Sequence, residues 1–78
     1  MVRLFIGAGR ALGIRPGDLV GAITGEADVR SRSLGAIEIA DKFSLIEVPE
    51  ALADQIIAAL KATKIRGQKV TVRRERTA

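Results

Sequence analysis

The chain has no cysteine, histidine, asparagine, tyrosine or tryptophan, and only two phenylalanines among its 78 residues. Each absence closes a class of chemistry. Without cysteine there is neither a disulfide framework nor a thiol nucleophile, which is compatible with a reducing compartment. Without histidine or cysteine, a zinc site and a histidine-based catalytic pair are excluded, so neither a metal nor a cofactor is expected. No apolar run approaches the ~20 residues of a membrane span, and no signal-peptide pattern opens the chain. A soluble, cytoplasmic protein without a membrane partner is therefore expected. The length suits one domain near the lower size limit for folding alone. The apolar fraction of 47%, carried by Ile, Leu, Val and Ala, is enough for a core.

The net charge of +4 is unevenly placed. Residues 61–76 hold seven basic groups (Lys61, Lys64, Arg66, Lys69, Arg73, Arg74, Arg76) against one acid, Glu75, while the rest of the chain is slightly acidic. Clustered positive charge is an electrostatic footprint for a polyanion. It is equally what a solvated basic tail would show.

Apolar periodicity orders the elements. Val2 to Gly7 reads as a strand, and Gly7-Ala8-Gly9-Arg10 breaks it. Pro16 with Asp18 marks a helix start, since proline suits the first helical turn and an acid there complements the dipole. Leu19, Val20, Ile23 and Ala27 recur at helical spacing, predicting a helix over Pro16 to Glu26. Asp28 to Ser33 is a polar loop carrying Arg30 and Arg32. Leu34 to Ile39 and Phe43 to Val48 form a hairpin across Ala40-Asp41-Lys42. Pro49-Glu50 opens a second helix with Leu52, Ala53, Ile56, Ile57 and Leu60 as its stripe. Arg66-Gly67 is a turn, Lys69 to Arg74 is the last strand, and 75–78 is expected to be a frayed tail behind a domain over residues 1–74.

The order β-α-β-β-α-β matches the α+β, ferredoxin-like split βαβ plan, a four-stranded antiparallel sheet with two helices on one face. Right-handed crossovers put the first and third strands side by side at its centre. Side chains alternate between strand faces, and both phenylalanines fall on the side that the aliphatic residues avoid. The outward set is Arg3, Phe5, Ala36, Glu38, Phe43, Leu45, Glu47, Lys69, Thr71 and Arg73. Rings exposed on a sheet are what single-stranded RNA binders use to stack bases, at roughly 1–3 kcal/mol per base. With phosphate contacts from Lys and Arg, roughly micromolar binding is expected.

From these residues the chain resembles an RNA recognition motif, whose central-strand pattern is K/R-G-F/Y-G/A-F-V-x-F/Y. The corresponding run is Asp41-Lys42-Phe43-Ser44-Leu45-Ile46-Glu47-Val48, with Phe43 at the first ring position and Leu45 in place of the second. On the first strand, Leu4-Phe5-Ile6-Gly7-Ala8-Gly9 puts Phe5 at the companion ring position. Over residues 2–74 the chain also resembles the C-terminal RNA-binding domain of the DbpA type found in bacterial DEAD-box RNA helicases. The run Gly9-Arg10-Ala11-Leu12-Gly13-Ile14-Arg15-Pro16-Gly17-Asp18-Leu19-Val20-Gly21-Ala22-Ile23 carries that resemblance. So do Leu34-Gly35-Ala36-Ile37-Glu38-Ile39, the Phe43 strand ending in Glu47-Val48-Pro49, and Ile65-Arg66-Gly67-Gln68-Lys69-Val70. The resemblance implies a degenerate RNA recognition motif that tethers an ATP-dependent helicase to structured, often ribosomal, RNA. The partner in the same polypeptide would be the helicase core. The chain itself has no Walker-type loop and no Asp-Glu-Ala-Asp, so it reads as an excised, non-enzymatic domain.

The expected RNA contacts are Phe5 and Phe43 as stacking platforms and Leu45 as a hydrophobic shelf. Arg3, Lys42, Lys69, Arg73 and Arg74 are expected phosphate partners, with Arg10, Arg30 and Arg32 secondary. Because the rings point outward, replacing them is expected to change thermal stability little. Other chemistries fit the residues less well. Gly7-Ala8-Gly9 with Gly13 imitates a dinucleotide-binding start, but Pro16 begins the helix too late to meet a pyrophosphate. Acylphosphatases share the plan, but their chemistry uses an asparagine that this chain lacks. Glu38 and Glu47 could face one another as an acid pair, yet on an open sheet they read as solvated or ion-paired. The alanine-rich helix surfaces leave a protein-interaction module, or a weak homodimer, as the alternative.

Overall fold

In the computed structural model, which describes residues 1–27 and 29–75, the elements are β1 (Val2–Ile6), α1 (Pro16–Glu26), β2 (Ile37–Ile39), β3 (Ser44–Val48), α2 (Glu50–Ala62) and β4 (Val72–Arg74). The strands pair antiparallel in the order β2-β3-β1-β4. This is the ferredoxin-like split βαβ sheet read from the sequence, with β1 and β3 central. Alternation explains its two faces. Leu4, Ile6, Ile46, Val48 and Val72 are fully or almost fully buried under the helices, and Arg3, Phe5 and Glu47 point the other way. From α1 come Leu19 and Ile23, and from α2 come Ala53, Ile56 and Leu60, which complete the core. Each of the leucines, isoleucines and valines among them contributes about 1.5–3 kcal/mol on burial. Among the described residues, no helix is long and apolar enough to cross a membrane.

Local chemistry sets the helix ends. Arg15 is extended at the α1 N-cap, Pro16 follows, and the Asp18 carboxylate accepts the Arg15 backbone N–H at 2.9 Å. The predicted span of α1 matches the observed one. At the C-terminal end of α1, the Ala27 carbonyl accepts the side-chain amide of Gln55, which ties α1 to α2. Arg66 and Gly67, at φ 53 and 79, form the tight turn before β4 and let Ile65 and Gln68 bridge across it.

Three expectations need correction. The second strand does not begin at Leu34: Ser31–Ser33 form a turn of 3-10 helix. Gly35 and Ala36 then share one opposite residue, because Gly35 N–H donates to the Glu47 carbonyl while Ala36 C=O accepts from Glu47 N–H. That is a β-bulge, and regular pairing starts only at Ile37. The last strand is likewise shorter, since only Val72–Arg74 pair with β1; Lys69 lies in the connection, and Thr71 contributes one bond from Gly7 N–H. Finally, Glu75 belongs to the sheet edge and not to a tail, because its N–H donates to the Arg3 carbonyl at 2.9 Å. Residues 76–78 of the expected tail lie outside the described residues.

The glycines after β1 have a structural task. A Cβ on Gly9 would lie 2.1 Å from the Ala40 carbonyl oxygen and 2.7 Å from Phe43 N, so this backbone touches the β2–β3 hairpin directly. Arg10 N–H and Ala11 N–H donate to Ala40 and Asp41 carbonyls at 2.8 and 2.9 Å, and buried Ser44 Oγ donates to the Ala8 carbonyl at 2.7 Å. The glycine run closes the fold at that end and is not arranged as a phosphate cradle. Gly9→Ala is expected to lose about 1–3 kcal/mol in urea unfolding, as overpacking does. Gly17→Ala and Gly21→Ala, where a Cβ meets nothing within 4 Å on α1, are expected to gain about 0.4–1 kcal/mol. Equal effects at the three positions would disprove this account of the hairpin contact.

Candidate nucleic-acid interface

The face of the sheet turned away from α1 and α2 carries a register-aligned row. Glu38 lies opposite Leu45, Leu45 opposite Phe5, and Phe5 opposite Arg73. Phe43 precedes β3 by one residue and reaches Phe5 diagonally. The two rings stack with centroids 5.5 Å apart and planes 19° from parallel, an arrangement that aromatic quadrupoles favour. From the other flanking strand, the Arg73 guanidinium carbon sits 4.4 Å from the centroid of Phe5, over its face. Arg73, Phe5 and Phe43 thus form one ladder of three planar groups. Phe43 is the more open ring, 38% exposed, while Phe5 is half-buried between its neighbours.

Leu45, the expected hydrophobic shelf, is more enclosed than alternation suggests. It is on the open face by register but only 8% exposed. It floors a shallow hollow of about 100 Å³ whose other walls are Arg3, Ala36, Glu38 and Glu47. Longer side chains stand around it, Arg3 on β1, Glu38 on β2 and Glu47 on β3 itself, which alternation alone does not reveal.

The cations divide by position. Arg10 and Lys42 are exposed where the β1–α1 connection meets the hairpin turn, and Lys69 is exposed in the α2–β4 connection, whose Thr71 bonds Gly7 at the same end of the sheet. Arg10 also braces the hairpin: its Nη2 donates to the Ile39 carbonyl at 3.0 Å, and its Nη1 lies 3.6 Å from Asp41. Arg66, turned toward Gly13, lies 3.8 Å from Asp18 at the start of α1. Arg30 and Arg32, exposed, belong to the loop leading into Gly35, which lies beside Met1 at the opposite end. The structure therefore separates them from Arg10 and Lys42. Arg3 stays on the open face, 3.7 Å from Glu75 and across the strand pair from Glu47. Arg74 is a correction: it shares the helix side of β4 with Val72, and its Nη2 donates to Asp54 of α2 at 3.2 Å. The hairpin end of the face is thus the more basic, and the end near Met1 mixes Arg3 with Glu38, Glu47 and Glu75.

A family model described as the DbpA RNA binding domain matches residues 3–74. The chain belongs to this family. Among curated relatives, the ATP-dependent RNA helicase DeaD of Buchnera aphidicola subsp. Schizaphis graminum is 32% identical over 68 residues, which is 87% of this chain and 11% of that protein. The ATP-dependent RNA helicase DbpA of Escherichia coli K12 is 32% identical over 73 residues, 94% of this chain and 16% of that protein. An uncharacterized protein of Treponema pallidum is 35% identical over 75 residues, 96% of this chain and 33% of that protein. The chain spans between about a tenth and a third of the length of these relatives.

Two features of this RNA-binding-domain surface escaped sequence reasoning. Leu12, 44% exposed, projects from the 3-10 turn beside Arg10, and an isolated apolar residue in a loop carries no periodic signal. The bulge that fixes Glu47 escaped as well, although Gly35 was its trace. The ring ladder changes the expected stability effect. Phe5 contacts both an aromatic ring and a guanidinium, at about 0.5–1.5 and 0.5–1 kcal/mol, so Phe5→Ala is expected to cost roughly 1–2.5 kcal/mol. Phe43→Ala, losing only the ring pair, should cost less. Thermal unfolding of both variants checks this; a larger loss for Phe43 than for Phe5 would contradict the ladder.

Proposed function

We propose that this domain holds a DEAD-box RNA helicase core, carried in the same polypeptide, on structured RNA such as ribosomal RNA in the cytoplasm. It does so without catalysis of its own. The observation that carries the reading is the Arg73–Phe5–Phe43 ladder on a sheet face that no helix among the described residues covers. The family match supports RNA as the ligand, and the names of the helicase relatives support the attachment to a helicase core. On this reading a base extends the ladder at the open side of Phe43, and Phe5 and Arg73 prop that ring from behind. Lys42, Lys69 and Arg10 meet phosphates at the hairpin end. Arg3 is a weaker candidate because three carboxylates, Glu38, Glu47 and Glu75, stand around it, and Arg30 and Arg32 act only on an RNA long enough to reach the other end.

Fluorescence anisotropy with an RNA hairpin and with a plain single strand, at two salt concentrations, tests the proposal. Phe5→Ala with Phe43→Ala is expected to weaken binding at least about tenfold, given roughly 1–3 kcal/mol per stacked base. Arg73→Lys separates plane from charge. A guanidinium acting as a stacking plane predicts loss of affinity with the salt slope unchanged. A phosphate contact predicts retained affinity in Arg73→Lys, and in Arg73→Gln a slope reduced by about 0.7. Binding indifferent to salt and to both ring replacements would sink the RNA reading and favour a protein partner.

A further inference from the structure

A face that binds a polyanion is expected to shed carboxylates, since like charges at close range repel. This one keeps two, Glu38 and Glu47, beside the ring row. Neither has a cationic partner within salt-bridge distance among the described residues; Arg3, which faces Glu47 across the strand pair, is instead 3.7 Å from Glu75. Glu47 is also held in a fixed direction. Its Oε1 accepts the Ala36 N–H at 3.0 Å, an amide that the bulge has freed from the ladder. Gly35 lets the bulge close on it, because a Cβ there would lie 2.8 Å from the Glu47 Cβ. Bulges commonly re-aim a side chain at a functional position. The hollow that results has an apolar floor, Leu45, with carboxylates and one guanidinium on its rim.

We propose that this hollow reads a guanine base of the bound RNA, an inference that rests on the RNA reading above. RNA binders recognise splayed-out bases by their hydrogen-bonding edges. On its Watson–Crick edge guanine places two adjacent N–H donors, N1 and the N2 amino group, next to the O6 acceptor. A carboxylate that accepts two parallel N–H groups and a guanidinium that donates to O6 complement that edge. Glu47, held by Ala36, is the fixed acceptor; Glu38 adds a second carboxylate to the rim; Arg3 is the donor. Leu45 supplies apolar contact from below. The neighbouring nucleotide then falls on the Phe43–Phe5 ladder, which adjoins the hollow because Phe5 lies opposite Leu45. The two carboxylates reduce general affinity for phosphate, and in return they discriminate.

The test uses the whole chain and a hairpin RNA whose loop is uridine except for one central position, filled with guanosine, adenosine, cytidine or inosine. Inosine keeps N1–H and O6 and lacks only the N2 amino group. Anisotropy titrations are expected to favour guanosine at least about tenfold over the other three, as a good bidentate base contact does. In Glu47→Gln the preference collapses to near unity while binding of the adenosine hairpin holds or tightens. Phe43→Ala, by contrast, weakens all four RNAs alike. Wild-type binding without a guanosine preference overturns the hollow as a reader and leaves the RNA reading standing. A guanosine preference that survives in Glu47→Gln overturns the hollow in the same way. No binding of any hairpin overturns both.

Discussion

The bare backbone at Gly9 is the constraint on which the interface depends. Phe43 lies outside the regular pairing of β3, at the mouth of a hairpin turn, where a side chain would ordinarily have no fixed partner. It is held because the chain after β1 lies directly on that turn. Ala40 and Asp41 carbonyls take the Arg10 and Ala11 amides, Ser44 Oγ reaches the Ala8 carbonyl, and no Cβ intervenes at Gly9. The ring pair is therefore built by backbone contacts some distance from the rings. A change at Gly9 would reach the interface without touching it.

The open face has a polarity that the net charge hides. At the hairpin end Arg10, Lys42 and Lys69 stand against Asp41. Near Met1, Arg3 is surrounded by Glu38, Glu47 and Glu75. Phosphate is favoured at one end and opposed at the other. A strand crossing the ladder would keep its backbone toward the hairpin and turn base edges toward the acids, the orientation in which carboxylates become useful acceptors.

Much of this was legible in the sequence, and what was not has identifiable causes. Period-2 alternation placed Phe5 and Phe43 on one face, and right-handed crossovers made their strands neighbours. Parity also forbids Arg74 the open face, because it is two residues from inward Val72; its membership of a basic cluster carries no information about direction. The enclosure of Leu45 could not be read from its own strand alone, because Arg3 on β1 and Glu38 on β2 line the hollow around it together with Glu47 of β3. The bulge at Gly35-Ala36 needed knowledge of the partner strand. Both failures are non-local, whereas α1, set by Pro16, Asp18 and helical spacing, is local and was placed to the residue.

The ion pairs refine which cations stay within reach of a ligand. Among the described residues, four arginines are paired with acids: Arg3, Arg10, Arg66 and Arg74. Their side chains remain between 41% and 71% exposed, and exposed pairs of this kind contribute only about 0–1 kcal/mol. An arriving phosphate can displace Asp41 from Arg10 at little cost, so a partner in the free protein does not disqualify an arginine. Direction does. Arg74 is anchored on the helix side of the sheet, and bringing it to the open face would require turning β4 over, with loss of Val72 from the core. The distinction between a cation that is merely occupied and one that is misdirected decides which arginines can serve the RNA, and only the backbone register supplies it.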